Sequence, residues 1–190
     1  MKIGLFFGSF NPVHVGHLIL AQTALNETEL DKVWFVISPQ SPFKEKKNLL
    51  SEYDRLRMVE LAIGDRSDLQ ASNVEFSLPQ PSYTIDTLTH LRDTYPSYEF
   101  SLLMGQDNLQ YLDRWKNHEA ILKYYKIYVY PRVKTKPTSL DDHPSIKLFE
   151  APLLNISASY LRQLVKARKA ITYMVGEEVE KYILDGGLFK

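Results

Sequence analysis

The segment Gly8-Ser9-Phe10-Asn11-Pro12-Val13-His14-Val15-Gly16-His17 constrains the fold more than any other stretch of the chain. It follows the apolar run Ile3 to Phe7 and precedes a helical pattern from Leu18 to Leu25, so it reads as strand, glycine-rich turn and helix start. Gly8 can take backbone angles closed to other residues, Pro12 fixes its own φ, and Gly16 permits close approach of a ligand or a neighbouring strand. His14 and His17 stand at the helix entrance. Unpaired N–H groups and the positive end of the helix dipole make such an entrance a ready phosphate site. The plain alternative is a tight βα turn whose histidines only satisfy local hydrogen bonds. A zinc site would need a third ligand, and the chain has no cysteine, while His90, His118 and His143 fall on other elements.

The rest of the chain alternates short apolar strands with helical segments. Val33 to Ser38 reads as a second buried strand, and a loop carrying Lys44, Lys46 and Lys47 follows it. Ser51 caps a helix of about a dozen residues, with Leu56, Val59 and Ala62 or Ile63 on its apolar stripe and Arg55 flanking it. Asn73 to Ser77 reads as a third strand, and Ser82 or Thr84 opens the next helix. Tyr98 to Met104 is a fourth strand, after which helical pieces run to Trp115 and over Glu119 to Tyr124. Ile127 to Tyr130 and Ile146 to Phe149 complete the strands, with a proline-rich loop between them. Two last helices follow, one capped by Ser157 and one over Gly176 to Leu184, stopped at Gly186-Gly187.

This alternation predicts an α/β fold, a Rossmann-like doubly wound and mostly parallel sheet with helices on both faces. At 190 residues the chain is expected to form one domain, 1–190, with a helical C-terminal part from about 156. Lysine plus arginine equals aspartate plus glutamate at 23 each, so no global field favours a nucleic acid and phosphate binding must be local. No run reaches the ~18 apolar residues of a membrane span and the N-terminus lacks a signal-peptide pattern. A cytoplasmic protein with small-molecule substrates is the expectation. Homo-oligomer formation is left open.

In doubly wound sheets ligands bind beyond the carboxyl ends of the strands, so loops after strands one, two, four and five should converge. Those loops hold the chemically loaded residues. Lys44 reads as a surface charge or a phosphate partner. Asp107 reads as a helix cap, a ribose-binding carboxylate, or both. In Ile156-Ser157-Ala158-Ser159-Tyr160-Leu161-Arg162 two hydroxyls and free N–H groups open a helix, and Arg162 is long enough to fold back toward them as a second anion site. Trp115 is a stacking surface if an aromatic ring enters, with Thr84 as a polar handle and core packing as the alternative.

The first segment resembles the G-x-F-x-P-x-H-x-G-H signature of the nucleotidylyltransferase superfamily. Ser82-Tyr83-Thr84-Ile85-Asp86-Thr87-Leu88 is similar to the S-Y-T-x-D-T-L segment that lies in the nicotinate mononucleotide pocket of the bacterial nicotinate-nucleotide adenylyltransferases. Gly105-Gln106-Asp107 resembles their G-x-D adenosine element, Ile156 to Arg162 their triphosphate segment, and Val179 to Phe189 their C-terminal helix and tail. Two departures stand out. Ser41-Pro42-Phe43-Lys44 replaces a frequent P-P-H-K, and Ala158 occupies a place often held by a hydroxyl residue.

The resemblance implies transfer of the adenylyl group of ATP to nicotinate mononucleotide, with pyrophosphate released and Mg²⁺ carried on the ATP phosphates. It implies His14, His17, Lys44 and Arg162 as catalytic. ATP would lie against Gly8, Ser9, Phe10, His17, Gly105, Asp107, Ile156, Ser157 and Arg162, and nicotinate mononucleotide against Asn11, Lys44, Tyr83, Thr84, Trp115 and Arg132. The acceptor phosphate is already a nucleophile, so the demand is for fixed positive groups and positioning rather than a base. Other readings are the same chemistry on nicotinamide mononucleotide or phosphopantetheine, a nucleotide-binding module without turnover, and a nucleic-acid-binding domain.

Overall fold

The computed structural model describes residues 1–39, 49–133 and 135–190. Lys44, with its neighbours Phe43, Lys46 and Lys47, lies outside them. Six strands form one sheet: β1 (Lys2–Gly8), β2 (Lys32–Ile37), β3 (Leu69–Ser72), β4 (Glu99–Gly105), β5 (Ile127–Tyr130) and β6 (Ile146–Leu148). Their order is β3-β2-β1-β4-β5-β6, and every pairing is parallel. The chain winds outward from β1 to one edge, returns, and winds outward to the other. The switch point therefore falls between β1 and β4, where Leu5 is registered against Leu102 and Phe6 against Leu103.

Period-two patterning divides each central strand between two cores. Phe6, Val33, Phe35, Ile37 and Leu103 pack with Leu20, Ala21 and Ala24 of α1 (Val15–Glu27), Met58 and Val59 of α2 (Glu52–Ile63), and Leu161, Val165, Val179 and Ile183 near the C-terminus. Ile3, Leu5, Trp34, Val36 and Leu102 pack on the other face with Ile85, Leu88 and Leu91 of α3 (Thr84–Thr94). A short α4 (Gln106–Leu109), a 3-10 turn (Leu112–Arg114) and α5 (His118–Tyr124) continue that second layer. The two C-terminal helices, α6 (Ala158–Lys166) and α7 (Glu177–Asp185), return to the first.

Local chemistry sets the helix ends. The Ser51 hydroxyl accepts from the Asp54 N–H at 3.1 Å, and Glu52 and Asp54 place negative charge in the first turn of α2. Ser157 caps α6 in the same way, accepting from the Tyr160 N–H at 3.2 Å.

Two expectations need correction. The third strand is Leu69–Ser72, not Asn73 to Ser77; the latter forms a 3-10 turn over Val74–Ser77. Pairing with β2 begins at Val33↔Leu69 and ends at Val36↔Ser72, so the ladder is used up before the more β-prone residues arrive. Arg55 does not flank the apolar stripe of α2 but is fully buried with Met58 and Val59, one and the same face at i, i+3 and i+4.

Candidate active site

The turn after β1 is shaped by contacts that its glycines allow. A Cβ on Gly8 would sit 2.8 Å from the Phe10 ring, and Phe10 itself has φ 45°. That backbone turns the Phe10 ring back beneath the loop, edge-on to Phe6 at 5.8 Å and against Phe35 at 5.4 Å. A Cβ on Gly16 would lie 2.8 Å from Ile156 and 3.0 Å from the His14 ring. The absent side chain lets the loop before α6 settle on the start of α1.

His14 caps α1 in extended geometry. Its N–H donates to His17 Nδ1 at 3.2 Å and its carbonyl accepts from the His17 N–H at 2.9 Å, while the two rings stack at 3.7 Å. A ring nitrogen that accepts from an amide carries no proton, so neutral His17 holds its proton, and its one donor, on Nε2. His14 is buried, and desolvation with the nearby Arg132 charge lowers its pKa to about 4. At neutral pH it is an uncharged hydrogen-bonding group. Among the N-terminal amides of α1, that of Val15 is already taken by the Met174 carbonyl at 2.9 Å.

The segment expected to form a second anion site packs against the turn after β1. Arg162 donates through Nη1 to the Asn11 carbonyl at 2.7 Å and through Nη2 to Ser159 Oγ at 3.1 Å. Ser157 and Arg162 thus stand beside His14 and His17 although they are far apart in the chain.

Beyond β4, Gly105 starts α4, and a Cβ there would collide with the Asp107 carboxylate. Asp107 faces Arg132 at 3.6 Å, and the Arg132 guanidinium lies 5.5 Å from the centre of the Tyr130 ring. Arg132, expected beside the acceptor, therefore also neighbours the carboxylate expected to take the ribose. Tyr83 caps α3, with Lys116 Nζ 4.7 Å above its ring. Lys116 also bonds Asp86 at 2.8 Å, tying the Ser82 to Leu88 segment to the Trp115 turn. Beneath them Glu75 is 1% exposed; it accepts from Thr87 Oγ1 at 2.7 Å, and burial raises its pKa.

Most of these groups open on one cavity of about 930 Å³ at the carboxyl ends of β1 and β4. Every candidate residue borders it except Lys44, which is outside the described residues, and Gly105, which lies directly behind Asp107. Phe10 borders it with its ring in the core, which leaves its backbone as the usable part. Sequence reasoning missed Arg55, Glu75 and Lys116. Only Arg55 carried a signal, its i, i+3, i+4 spacing with Met58 and Val59.

The chain matches the cytidylyltransferase-like family over residues 5–164. It is 55% identical over 184 residues to a protein of Cytophaga hutchinsonii named "Probable nicotinate-nucleotide adenylyltransferase", covering 97% of this chain and 96% of that one. A Flavobacterium psychrophilum protein of the same name is 47% identical over the full length of both chains. Among solved structures, the nicotinic acid mononucleotide adenylyltransferase of Plasmodium falciparum complexed with NaAD superposes with a TM-score of 0.81. It covers 99% of this chain and 97% of that one at 22% identity, which is a likeness of fold.

Proposed function

The chain belongs to the cytidylyltransferase-like family and, within it, to the nicotinate-nucleotide adenylyltransferases, and from that footing we propose which of its residues carry the reaction. The enzyme transfers the adenylyl group of ATP to nicotinate mononucleotide, forming nicotinate adenine dinucleotide and pyrophosphate in NAD biosynthesis. The observation that supports the assignment of roles is the Arg162–Asn11 contact, which joins α6 to the turn before α1 over a cavity also bordered by Tyr83, Thr84 and Trp115.

A phosphate oxygen of nicotinate mononucleotide attacks the α-phosphorus of ATP, a new P–O bond forms, and the bond to the β-phosphate oxygen breaks as pyrophosphate leaves. The attacking oxygen is anionic at neutral pH, so the protein needs no base there. Its task is alignment and charge stabilisation. His17 donates from Nε2 to the reacting phosphate, and His14 serves as a neutral partner beside it. Arg162, with Ser157 and the start of α6, holds the β- and γ-phosphates. Lys44 is assigned to the same phosphates by its place in the motif. Asp107 with Gly105 takes the ribose, while the backbone of Gly8, Ser9, Phe10 and Ile156 frames the nucleotide. Trp115 stacks on the pyridine, with Asn11, Tyr83, Thr84 and Arg132 around the acceptor.

Mg²⁺ is the proposed metal. It prefers oxygen ligands and keeps much of its water, and its contribution is to neutralise the triphosphate. His14, His17, Ser157 and Arg162 are chiefly donors toward anions, so they would hold the metal through the phosphates it is bound to. We further propose that residues 1–190 act as one domain in the cytoplasm, without nucleic acid as a partner. Lysine and arginine balance aspartate and glutamate at 23 each, and no helix of the described residues is long and apolar enough to cross a membrane.

The test is pyrophosphate release with ATP and Mg²⁺, comparing nicotinate mononucleotide, nicotinamide mononucleotide and phosphopantetheine. Preference for the first supports the pocket assignment. Preference for either of the others would overturn the roles given to Tyr83, Thr84 and Trp115.

A further inference from the structure

Among the described residues Arg55 is the largest wholly buried side chain, and its hydrogen bonds run to main-chain carbonyls. Nη1 donates to Ser9 and to Ser38, each at 2.8 Å, Nε to Leu50 at 3.1 Å, and Nη2 to Pro39 at 3.5 Å. These acceptors belong to three separate pieces of chain: the turn after β1, the end of β2, and the residue before the Ser51 cap. Ser9 and Ser38 both border the cavity. Among the described residues Arg55 forms no ion pair, although Glu52 lies on its own helix.

The neighbours of Arg55 on that helix face are Met58 and Val59, and an apolar residue there would fill the same space without a charge to desolvate. Retaining a guanidinium makes sense if its geometry is used. A planar fork can hold carbonyls in several fixed directions at once, which an ammonium on a flexible stem cannot.

We propose that Arg55 is a positioning residue for adenylyl transfer: it locks the Gly8–Asn11 turn to the end of β2 and so sets the distance between phosphate-binding groups and the reacting phosphorus. It grips the turn at Ser9, while Arg162 grips it at Asn11 from α6. The turn is held at both ends by arginines that use their fork geometry on backbone oxygens. This inference rests on the assignment of that turn to the ATP phosphates.

The test uses Arg55→Lys, which keeps the charge and loses the fork, and Arg55→Met, which loses both. Arg57→Lys is the control, since Arg57 lies on the same helix but is exposed and paired with Glu60. Pyrophosphate release is measured well below each variant's melting midpoint. Both Arg55 variants should lose kcat on the order of a hundredfold, the scale of a misplaced reacting group, with smaller changes in either Michaelis constant. Arg55→Ala should regain part of its kcat on addition of guanidinium ion and none with ammonium. A folded Arg55→Lys enzyme with native kcat would overturn the proposal, and so would failure of every Arg55 variant to fold at low temperature, which would make Arg55 a folding residue. A native enzyme that released no pyrophosphate would instead sink the functional assignment itself.

Discussion

Arg162 and Asn11, 151 positions apart, meet at 2.7 Å, the guanidinium of one donating to the carbonyl of the other. The contact fastens α6 to the turn after β1 and brings together the two segments proposed to hold phosphates.

Removing that guanidinium should cost both activity and some stability. Arg162→Ala should lower kcat/KM for ATP by about 10²–10³, the range for one lost group on developing charge. Arg162→Lys should recover little, because a point charge cannot serve Asn11, Ser159 and a phosphate together. The melting midpoint should fall by a few degrees, at about 2–4 °C per kcal/mol lost. Steady-state kinetics and calorimetry on both variants read these effects, and equal kinetics for Lys and Arg would remove the geometric argument.

His14 makes stability depend on pH. Its folded pKa of about 4 lies below the ordinary 6.5, so between those values the unfolded chain binds more protons and stability rises with pH. The contribution is complete above about pH 6.5 and is lost as pH falls toward 4, on the order of 3 kcal/mol in all. Melting midpoints should drop between pH 7 and 4.5 in the native enzyme and drop less in His14→Asn. A nuclear magnetic resonance titration of the His14 ring with its midpoint near 6.5 would contradict the assignment.

The role proposed for Trp115 should separate the two substrates kinetically. It packs partly against the second core and borders the cavity. Trp115→Ala should raise the Michaelis constant for nicotinate mononucleotide about tenfold or more, within the ~1–3 kcal/mol range of base stacking on an aromatic side chain. That for ATP should move much less. Equal shifts in both constants would make Trp115 a packing residue.

Gly16→Ala tests the fit between α1 and the loop before α6. The new methyl would meet Ile156 at 2.8 Å and the His14 ring at 3.0 Å, so one of them must move. Overpacking of this kind costs about 1–3 kcal/mol, and the displaced His14 should reduce kcat as well. Pairing the change with Ile156→Val should return part of the stability, read as a melting midpoint. An unaltered Gly16→Ala enzyme would show that the loop gives way freely.

The architecture was largely legible because its signals are local. Buried parallel strands such as Lys32–Ile37 are short apolar runs, and Ser51 and Ser157 announce their helices by capping chemistry within three residues. The third strand was displaced because β2, a partner distant in sequence, decides which residues of 69–77 can pair. Most of the candidate site was legible for a related reason: parallel strands bring their carboxyl ends to one edge, so the loops after them had to meet.

What the sequence determined by itself is therefore the order of elements, the edge at which they present their chemistry, and the residue types that could bind phosphates there. Tertiary structure alone decided the pairings: Arg162 with Asn11, Arg132 with Asp107, the stacked His14 and His17, and Arg55 on its backbone carbonyls. It also decided that His14 stays uncharged well below neutral pH, since its pKa depends on how much water the fold removes and on where the Arg132 charge comes to rest. Caps and periodicities act over a few residues and can be read along a chain. Desolvation and directed hydrogen bonds depend on distances through space, which exist only once the chain has closed on itself.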